Sequence, residues 1–258
     1  MKLEGRVAIV TGGGRGIGRE ISLQFSKEGA AVVAAGSTQE MIEQVAREIR
    51  ERGGRAIAVR TDVADDTSVE QMVSAALNEF GHIDILVNNA GIIGPTAPVT
   101  QVNREDWDRV IAVNLTGAFL CARYALPSMI ERRSGRIINI TSIAGLIGYP
   151  LRSPYAVSKW GMIGLTRTLA GEVGQYDITV NAIAPGPVEG PRIDEVIRRR
   201  AAQMGRSFEE VQQDYISPIA LHRMVEESDI AAMALFLAGE EGRNITGETF
   251  NISGGYRI

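Results

Sequence analysis

The sequence predicts an α/β fold in which a mainly parallel, doubly wound sheet carries helices on both faces. Three observations predict it. Short β-branched runs alternate with longer helical patterns, the signature of successive βαβ units. Several runs are apolar at nearly every position rather than alternating, as strands covered on both faces must be. No linker rich in Gly, Pro or Ser and no repeat at a solenoid period interrupts the 258 residues, so one domain spanning 1–258 is expected.

The first strand is Val7–Val10. Ile17, Ile21 and Phe25 then recur at helical spacing, and Gly29 follows as a stop. Ala31–Ala35 and Ala56–Val59 read as the second and third strands. Thr67-Ser68-Val69-Glu70 fits a capping box for a helix running to Phe80 before Gly81. Ile83–Val87, Arg136–Ile140, Ile178–Ile183 and Thr249–Ile252 bring the strands to seven. Residues 187–217 break the rhythm with prolines, the basic run Arg198-Arg199-Arg200 and an amphipathic stretch at Phe208–Val211. So long an excursion after a strand reads as a substrate lid. The alternative is a solvated helix pair covering the sheet edge.

Composition excludes several classes of function. The net charge of −4 argues against a general nucleic-acid binder. One cysteine, Cys121, cannot form an intrachain disulfide, and with only two histidines, His82 and His222, no zinc-type ligand cluster is expected. The run Val7–Val10 is too short for a signal peptide core, and no stretch is expected to approach the roughly 20 apolar residues of a membrane span. A soluble, cytoplasmic protein is the expectation. Cys121 lies in an apolar helical stretch and reads as a small buried hydrophobe, while His82 reads as solvated. Trp160 reads as packing, and His222 lies near the exit of the lid.

Thr11-Gly12-Gly13-Gly14-Arg15-Gly16-Ile17-Gly18 follows the first strand and opens a helix. Glycines there permit a tight turn and close backbone approach to a pyrophosphate, and the helix N-terminus offers free N–H groups to the anion. That context reads as dinucleotide binding, and the absence of a Lys-Ser/Thr ending argues against a nucleotide-hydrolysing loop. The second strand ends in Ala35-Gly36-Ser37-Thr38, with no acid until Glu40. A carboxylate at that point would bind the ribose 2′-hydroxyl and repel a 2′-phosphate. Ser37, Thr38 and Arg15 instead tip the reading toward NADP, the alternative being a neutral pocket that takes NAD as well.

Tyr155-Ala156-Val157-Ser158-Lys159 puts a phenol and an ammonium four residues apart on one helix face. Ser142 lies just past the strand Arg136–Ile140, and Asn114 within the helical pattern Val110–Leu120. Together with the glycine turn, Asn88-Asn89-Ala90-Gly91 after the fourth strand and Pro185-Gly186 after the sixth, this set resembles the short-chain dehydrogenase/reductase family over essentially the whole chain. The resemblance implies a Rossmann-type fold, NAD(P)-dependent hydride transfer between a secondary alcohol and a ketone, and a homotetramer. It implies Tyr155 as general acid/base, Lys159 as its activator, Ser142 as the hydroxyl orienting the carbonyl, and Asn114 as anchor of a water-linked proton relay. Asp62 with Val63 would meet the adenine, and Asn88, Ala90 and Gly91 would form part of the cofactor floor. Gly12, Gly14, Arg15, Gly16, Ile17 and Gly18 would hold the phosphates, with Pro185, Gly186 and Val188 closing the nicotinamide side.

The chemistry accounts for the residue types. A free tyrosine has a pKa of about 10, too high for an effective base near neutrality, and a fixed cation beside it favours the phenolate. One departure from the family pattern is Gly190, which stands where many members carry a hydroxyl residue touching the nicotinamide carboxamide. Substrate-facing candidates are Ser142, Ala144, Leu146, Tyr149, Leu151, Tyr155 and the lid. Arg192 and Arg198–Arg200 raise an acidic substrate, against an ordinary basic helix face balanced by Asp194 and Glu195. The main reading is a small alcohol or polyol substrate, with a 3-oxoacyl-thioester (acyl carrier protein) reductase as runner-up. A catalytically inactive dinucleotide sensor and an epimerase or dehydratase using the cofactor transiently are readings of other classes. The apolar faces at Val110–Leu120 and Ala156–Leu169 are candidate subunit contacts.

Overall fold

The computed structural model describes residues 1–257; Ile258, which the one-domain expectation includes, lies outside the described residues. Seven parallel strands form one sheet: β1 (Val7–Thr11), β2 (Ala31–Gly36), β3 (Ala56–Arg60), β4 (Ile85–Asn88), β5 (Gly135–Ile140), β6 (Ile178–Pro185) and β7 (Thr249–Ile252). Their spatial order is β3-β2-β1-β4-β5-β6-β7. The chain winds outward from β1 to β3, returns to lay β4 on the other side of β1, and continues outward. That reversal opens a crevice beyond the carboxyl ends of β1 and β4, where open α/β sheets bind ligands. β4 starts two residues later than the apolar run suggests. Asp84 turns its carboxylate back to accept from the Val7 N–H at 2.8 Å and to pair with Arg6.

The helices are α1 (Gly16–Lys27), α2 (Gln39–Glu51), α3 (Asp66–Phe80), α4 (Arg104–Ile111), α5 (Gly117–Arg132), α6 (Ser153–Val173), α7 (Pro191–Met204), α8 (Phe208–Ile216) and α9 (Glu227–Ala238). Both sheet faces are covered. Ile21 and Phe25 of α1, Ile42 and Ile49 of α2, and Ala234 and Leu237 of α9 fill one core. Val69 and Met72 of α3, Cys121, Ala125 and Met129 of α5, and Leu169 and Val173 of α6 fill the other. Two-sided burial is why the strands read as continuous apolar runs.

Four expectations are corrected. The cap of α3 is Asp65, which accepts from the Ser68 N–H at 3.2 Å, so this helix begins before the Thr67 box. His82 is partly buried, with Nε2 3.0 Å from the Asp84 carboxylate, rather than solvated. Trp160 is half exposed, so its own chain covers only part of it. Arg104–Arg132 runs as 29 helical residues, long and apolar enough by length and composition to cross a membrane. Leu120, Cys121, Ala125 and Met129 nevertheless face the sheet, which makes it a core helix here. Cys121 is fully buried as expected, and burial pushes its thiol up to about 12.

Residues 187–217 form the pair α7 and α8 around a small core of Val196, Ile197, Ala201, Val211 and Tyr215. Ile93 and Tyr149 pack against that core, so the pair sits over the segments that follow β4 and β5.

Candidate active site

The glycine turn is built for close approach. A Cβ on Gly18 would stand 2.2 Å from the Gly12 carbonyl oxygen and 2.4 Å from Asn89 Nδ2. Gly12 has φ +63 and Gly16 φ +58, the left-handed region that favours glycine. Asn89, part of the Asn88–Gly91 motif but given no role by the sequence reading, locks this turn: its Nδ2 donates to the carbonyls of Thr11 at 2.9 Å and Gly12 at 3.2 Å. The N–H groups of Asn89 and Ala90 both donate to Thr11 Oγ1. Arg15 caps α1 without a side-chain hydrogen bond, and the first turn of α1 carries no acid. Its leading N–H groups therefore have no capping side chain, as an anion site at a helix start requires.

At the end of β2, Ser37 and Thr38 are exposed, and Thr38 caps α2 without spending its hydroxyl on the helix. A Cβ on Gly14 would meet Met41 Cβ at 2.9 Å, so the turn bearing the exposed Arg15 lies against the start of α2. Past β3, Asp62 is exposed and accepts from the Ala64 N–H at 3.0 Å. Val63 is buried against Gly117, whose missing Cβ lets α5 approach it.

Lys159 is buried at 3 % exposure, and its Nζ donates to the Ile140 carbonyl at 2.8 Å. That bond ties the ammonium to the end of β5, two residues before Ser142. Ser142 caps the short turn Ile143–Gly145 by accepting from the Ala144 N–H at 3.2 Å. Gly145 lies against α6, since a Cβ there would stand 2.7 Å from the Lys159 carbonyl oxygen. Thr141 Oγ1 donates to that same carbonyl at 2.8 Å. Tyr155 is partly buried, with Lys159 Nζ 5.8 Å from its ring centre.

Asn114 sits in a π-helical segment, Ala112–Thr116, between α4 and α5. Such wide turns concentrate at functional sites. Its Oδ1 accepts from the Ile92 N–H at 2.8 Å, and its Nδ2 donates to the Ile92 carbonyl and to Ser158 Oγ, each at 3.1 Å. A Cβ on Gly91 would meet Asn114 Oδ1 at 3.2 Å and Lys159 Nζ at 3.8 Å. Gly91 thus lies against both Asn114 and Lys159.

The structure redirects several expected residues. The Asn88 side chain points into the interior instead of forming a floor: Nδ2 donates to Asn139 Oδ1 at 2.9 Å and Oδ1 is buried without a partner. Asn139 Nδ2 then donates to Thr166 Oγ1, and Thr166 to the Met162 carbonyl. This buried chain fixes α6 against β4 and β5. Ala144 is buried, Leu146 exposed, and Tyr149 donates its hydroxyl to Tyr215 at 3.1 Å. Leu151, a non-glycine residue, is held at φ +67 immediately before α6. Gly186 lies against Ser253, and Val188 bridges to Val225. Pro185 is buried at the end of β6. Gly190 has φ +134 and ψ −179, a conformation essentially reserved for glycine, so a hydroxyl residue cannot stand there without strain.

Two arginines complete the electrostatics. Arg152 is buried at 2 % exposure, with its guanidinium carbon 4.9 Å from the Tyr155 ring centre and its Nη2 donating to the Ile93 carbonyl. Arg192 Nη1 donates to the Gly91 carbonyl at 3.0 Å. Burial opposes ionisation of Tyr155, but Lys159, Arg192 and Arg152, aided by the Ser142 hydroxyl, hold the phenol below its ordinary value. Burial also brings the Lys159 ammonium down to about 8, against the pull of Tyr155. Arg152 carried no sequence signal of its own; only its place just ahead of Tyr155 in the chain hinted at proximity. Arg198 and Arg199 are both paired with Glu195, so that part of the basic run is an ordinary balanced helix face.

A dinucleotide fits these residues: a glycine cradle with an uncapped helix start lies at one end, and a cation-flanked phenol lies at the other. Among the described residues, no group of three His, Cys, Asp or Glu side chains is placed to hold a metal.

A family model described as short chain dehydrogenase matches residues 6–201. The 3-oxoacyl-(acyl-carrier-protein) reductase of Staphylococcus aureus (strain Mu50) is 39% identical over 250 residues, 96% of each chain. The protein of the same name from Thermotoga maritima is 36% identical over 258 residues, 100% of each chain. Among solved structures, an NAD+-bound xylitol dehydrogenase matches with TM-score 0.96 at 33% identity, covering 99% of this chain and 100% of that one. Levodione reductase matches with TM-score 0.94 at 32% identity, covering 98% of both.

Proposed function

The chain belongs to the short-chain dehydrogenase/reductase family, an NAD(P)-dependent oxidoreductase acting on CH–OH groups, and we propose that Tyr155 is its general acid/base. The observation that carries this reading is the placement of Arg152 and Lys159 4.9 and 5.8 Å from the Tyr155 ring centre, with Arg192 adding positive charge to the same phenol. When bound, the nicotinamide supplies the hydride acceptor or donor. Gly12, Gly14, Gly16, Ile17 and Gly18 would hold the phosphates, Asp62 and Val63 would meet the adenine, and Ala90, Gly91, Pro185, Gly186 and Val188 would frame the nicotinamide side.

In alcohol oxidation the Tyr155 phenolate takes the hydroxyl proton at its oxygen; in ketone reduction the phenol returns one. Ser142 donates a hydrogen bond to the substrate oxygen as charge develops on it. Lys159 supplies the field that keeps the phenol ionisable and hydrogen-bonds the nicotinamide ribose. With its side-chain amide spent on Ile92 and Ser158, Asn114 anchors the water-linked relay through its main chain. The α7–α8 pair acts as the lid over this site.

NADP is the preferred cofactor, supported by the free hydroxyls of Ser37 and Thr38 at an α2 start that has no capping side chain, and by the exposed Arg15 in the glycine turn beside it. The protein works in the cytoplasm as a homotetramer. The substrate is a small secondary alcohol or its ketone. A 3-oxoacyl-thioester substrate is the second reading, favoured by relatives of that name at 36% and 39% identity across the whole chain.

The test is Tyr155→Phe, which removes only the phenolic oxygen. Ketone-dependent oxidation of NADPH should fall by about a thousandfold, within the range of general acid–base catalysis, while NADPH affinity by fluorescence titration stays within about twofold of the parent. Near-normal turnover in that variant defeats the assignment.

A further inference from the structure

Resting on the oxidoreductase reading and sharpening its substrate, we infer that Arg152 and Arg192 form an anion subsite beside Tyr155. The substrate is then a hydroxy or oxo acid whose carboxylate, sulfonate or phosphate group the two guanidinium groups hold. Its alcohol or ketone faces the phenol.

The argument begins with what Arg152 lacks. Its guanidinium is 2 % exposed, and a guanidinium has five N–H donors to satisfy. Nη2 donates to the Ile93 carbonyl, while Nε is buried and has no partner among the described residues. The charged and titratable groups facing it are the phenols of Tyr155, Tyr149 and Tyr215 and the cation Arg192; none is a carboxylate. A buried guanidinium whose neighbouring acids are phenols alone has no permanent counter-charge, which is costly, so its retention calls for an anion that arrives.

Arg136 serves as an internal control. It too is buried with an unpartnered Nε, but its Nη1 donates to the Gly135 and Asp177 carbonyls, and the carboxylates of Asp177, Glu240 and Asp84 partly counter burial and the Arg6 charge. Of the other lid arginines, Arg198 and Arg199 pair with Glu195 and Arg206 with Asp214, while Arg200 lies over the Tyr215 ring, away from the Tyr155 phenol. Arg152 and Arg192 are the two whose charges meet at the phenol without such an offset.

Geometry fixes where the anion sits. The Arg152 guanidinium carbon stands 4.9 Å from the Tyr155 ring centre, and Arg192 is fastened to Gly91, which also adjoins Lys159. A substrate whose oxygen meets Tyr155 and Ser142 therefore carries its anionic group only a few bonds away. Planar guanidinium groups suit carboxylate and phosphate oxygens in particular. A thioester has no charge at that distance, so this subsite also separates the two substrate readings.

The experiment pairs oxo acids, the ketone one to four carbons from the carboxylate, with their methyl esters, and adds a keto sulfonate and a keto phosphate ester. Wild type should prefer the anionic member of at least one pair by about tenfold or more in kcat/KM. The ratio should collapse toward unity in Arg192→Gln and Arg152→Gln and be partly kept in Arg152→Lys. Equal use of acid and ester, or a preference that survives both Gln substitutions, overturns the subsite. Should Arg152→Gln fail to fold, Arg192→Gln, at an exposed position, carries the test.

Calorimetric titration with acetate, methanesulfonate and methyl phosphate examines the subsite without turnover and ranks the three anions. Binding that Arg192→Gln weakens supports it; binding indifferent to that change, or no binding, overturns it. Turnover of no ketone of either charge, alongside binding sensitive to Arg192→Gln, would defeat the oxidoreductase reading and leave the subsite standing.

Discussion

The Tyr155 phenol is held below its ordinary value because Lys159, Arg192 and Arg152 together outweigh the burial that opposes its ionisation. Only the ionised phenol accepts a proton, so alcohol oxidation should rise with pH through a midpoint below the value of about 10 for a free tyrosine. Ketone reduction needs the protonated phenol and should fall across the same window. Tyr155 and Lys159 sit close enough to titrate together, so the midpoint belongs to the pair. Removing a cation moves it upward: Arg192→Gln should shift the kcat–pH profile for oxidation to higher pH, and Lys159→Met should shift it further, Lys159 being the largest favourable charge. A profile unmoved by either substitution would show that another group controls the rate. Cofactor choice is also decided by single side chains. Ser37→Asp puts a carboxylate where a 2′-phosphate would lie and should lower kcat/KM for NADPH by about tenfold or more while sparing NADH. Initial rates with the two cofactors check it.

Elements hold these side chains in place, and α6 is the one that matters most because it carries both Tyr155 and Lys159. Its position depends on the buried chain from Asn88 through Asn139 to Thr166. Asn139→Leu would leave Asn88 Nδ2 with only the 3.4 Å contact to the Ala118 carbonyl. The expected loss is about 1–3 kcal/mol, the usual cost of stranding a buried donor, read as a lower urea midpoint at unchanged slope. The strands and the glycine turn were legible in the sequence because two-sided burial and tight turns each impose a local residue pattern. Tyr155, Lys159, Ser142 and Asn114 were singled out by a family resemblance that local motifs carry, and the roles proposed for them rest on it. Asn89, Asn139, Thr166 and Arg152 were not, since each acts on a segment distant in sequence and nothing local marks the partner. Asn88 shows the same limit: its side chain turns inward to a residue 51 places away. Gly190 shows the converse, a departure from the family pattern that backbone conformation explains and composition could not.

At the scale of the molecule, the face of α6 turned away from the sheet is unfinished in a single chain. Val157 and Trp160 are 45% and 51% exposed, and Phe119 on neighbouring α5 is 44% exposed. Along the same stripe, Gly164 and Gly171 are exposed, and no atom lies within 4 Å of where a Cβ on either would stand. Glycine inside a helix costs about 1 kcal/mol relative to alanine, and nothing within the chain offsets that cost at these two positions. Close approach of a second helix would, because the missing side chains let two backbones come together while the aromatic and branched residues pack around them. The stripe therefore fits the α5–α6 contact of the proposed homotetramer. Sedimentation velocity should find the wild type as a tetramer at micromolar concentration, with Trp160→Glu and Gly164→Arg sedimenting as smaller species. Both variants should also melt at a lower temperature that depends less on protein concentration than the wild type's, since a weakened assembly draws less stability from mass action. A wild type that sediments as a monomer, or variants that remain tetrameric, would move the interface elsewhere and leave the two glycines without a physical account.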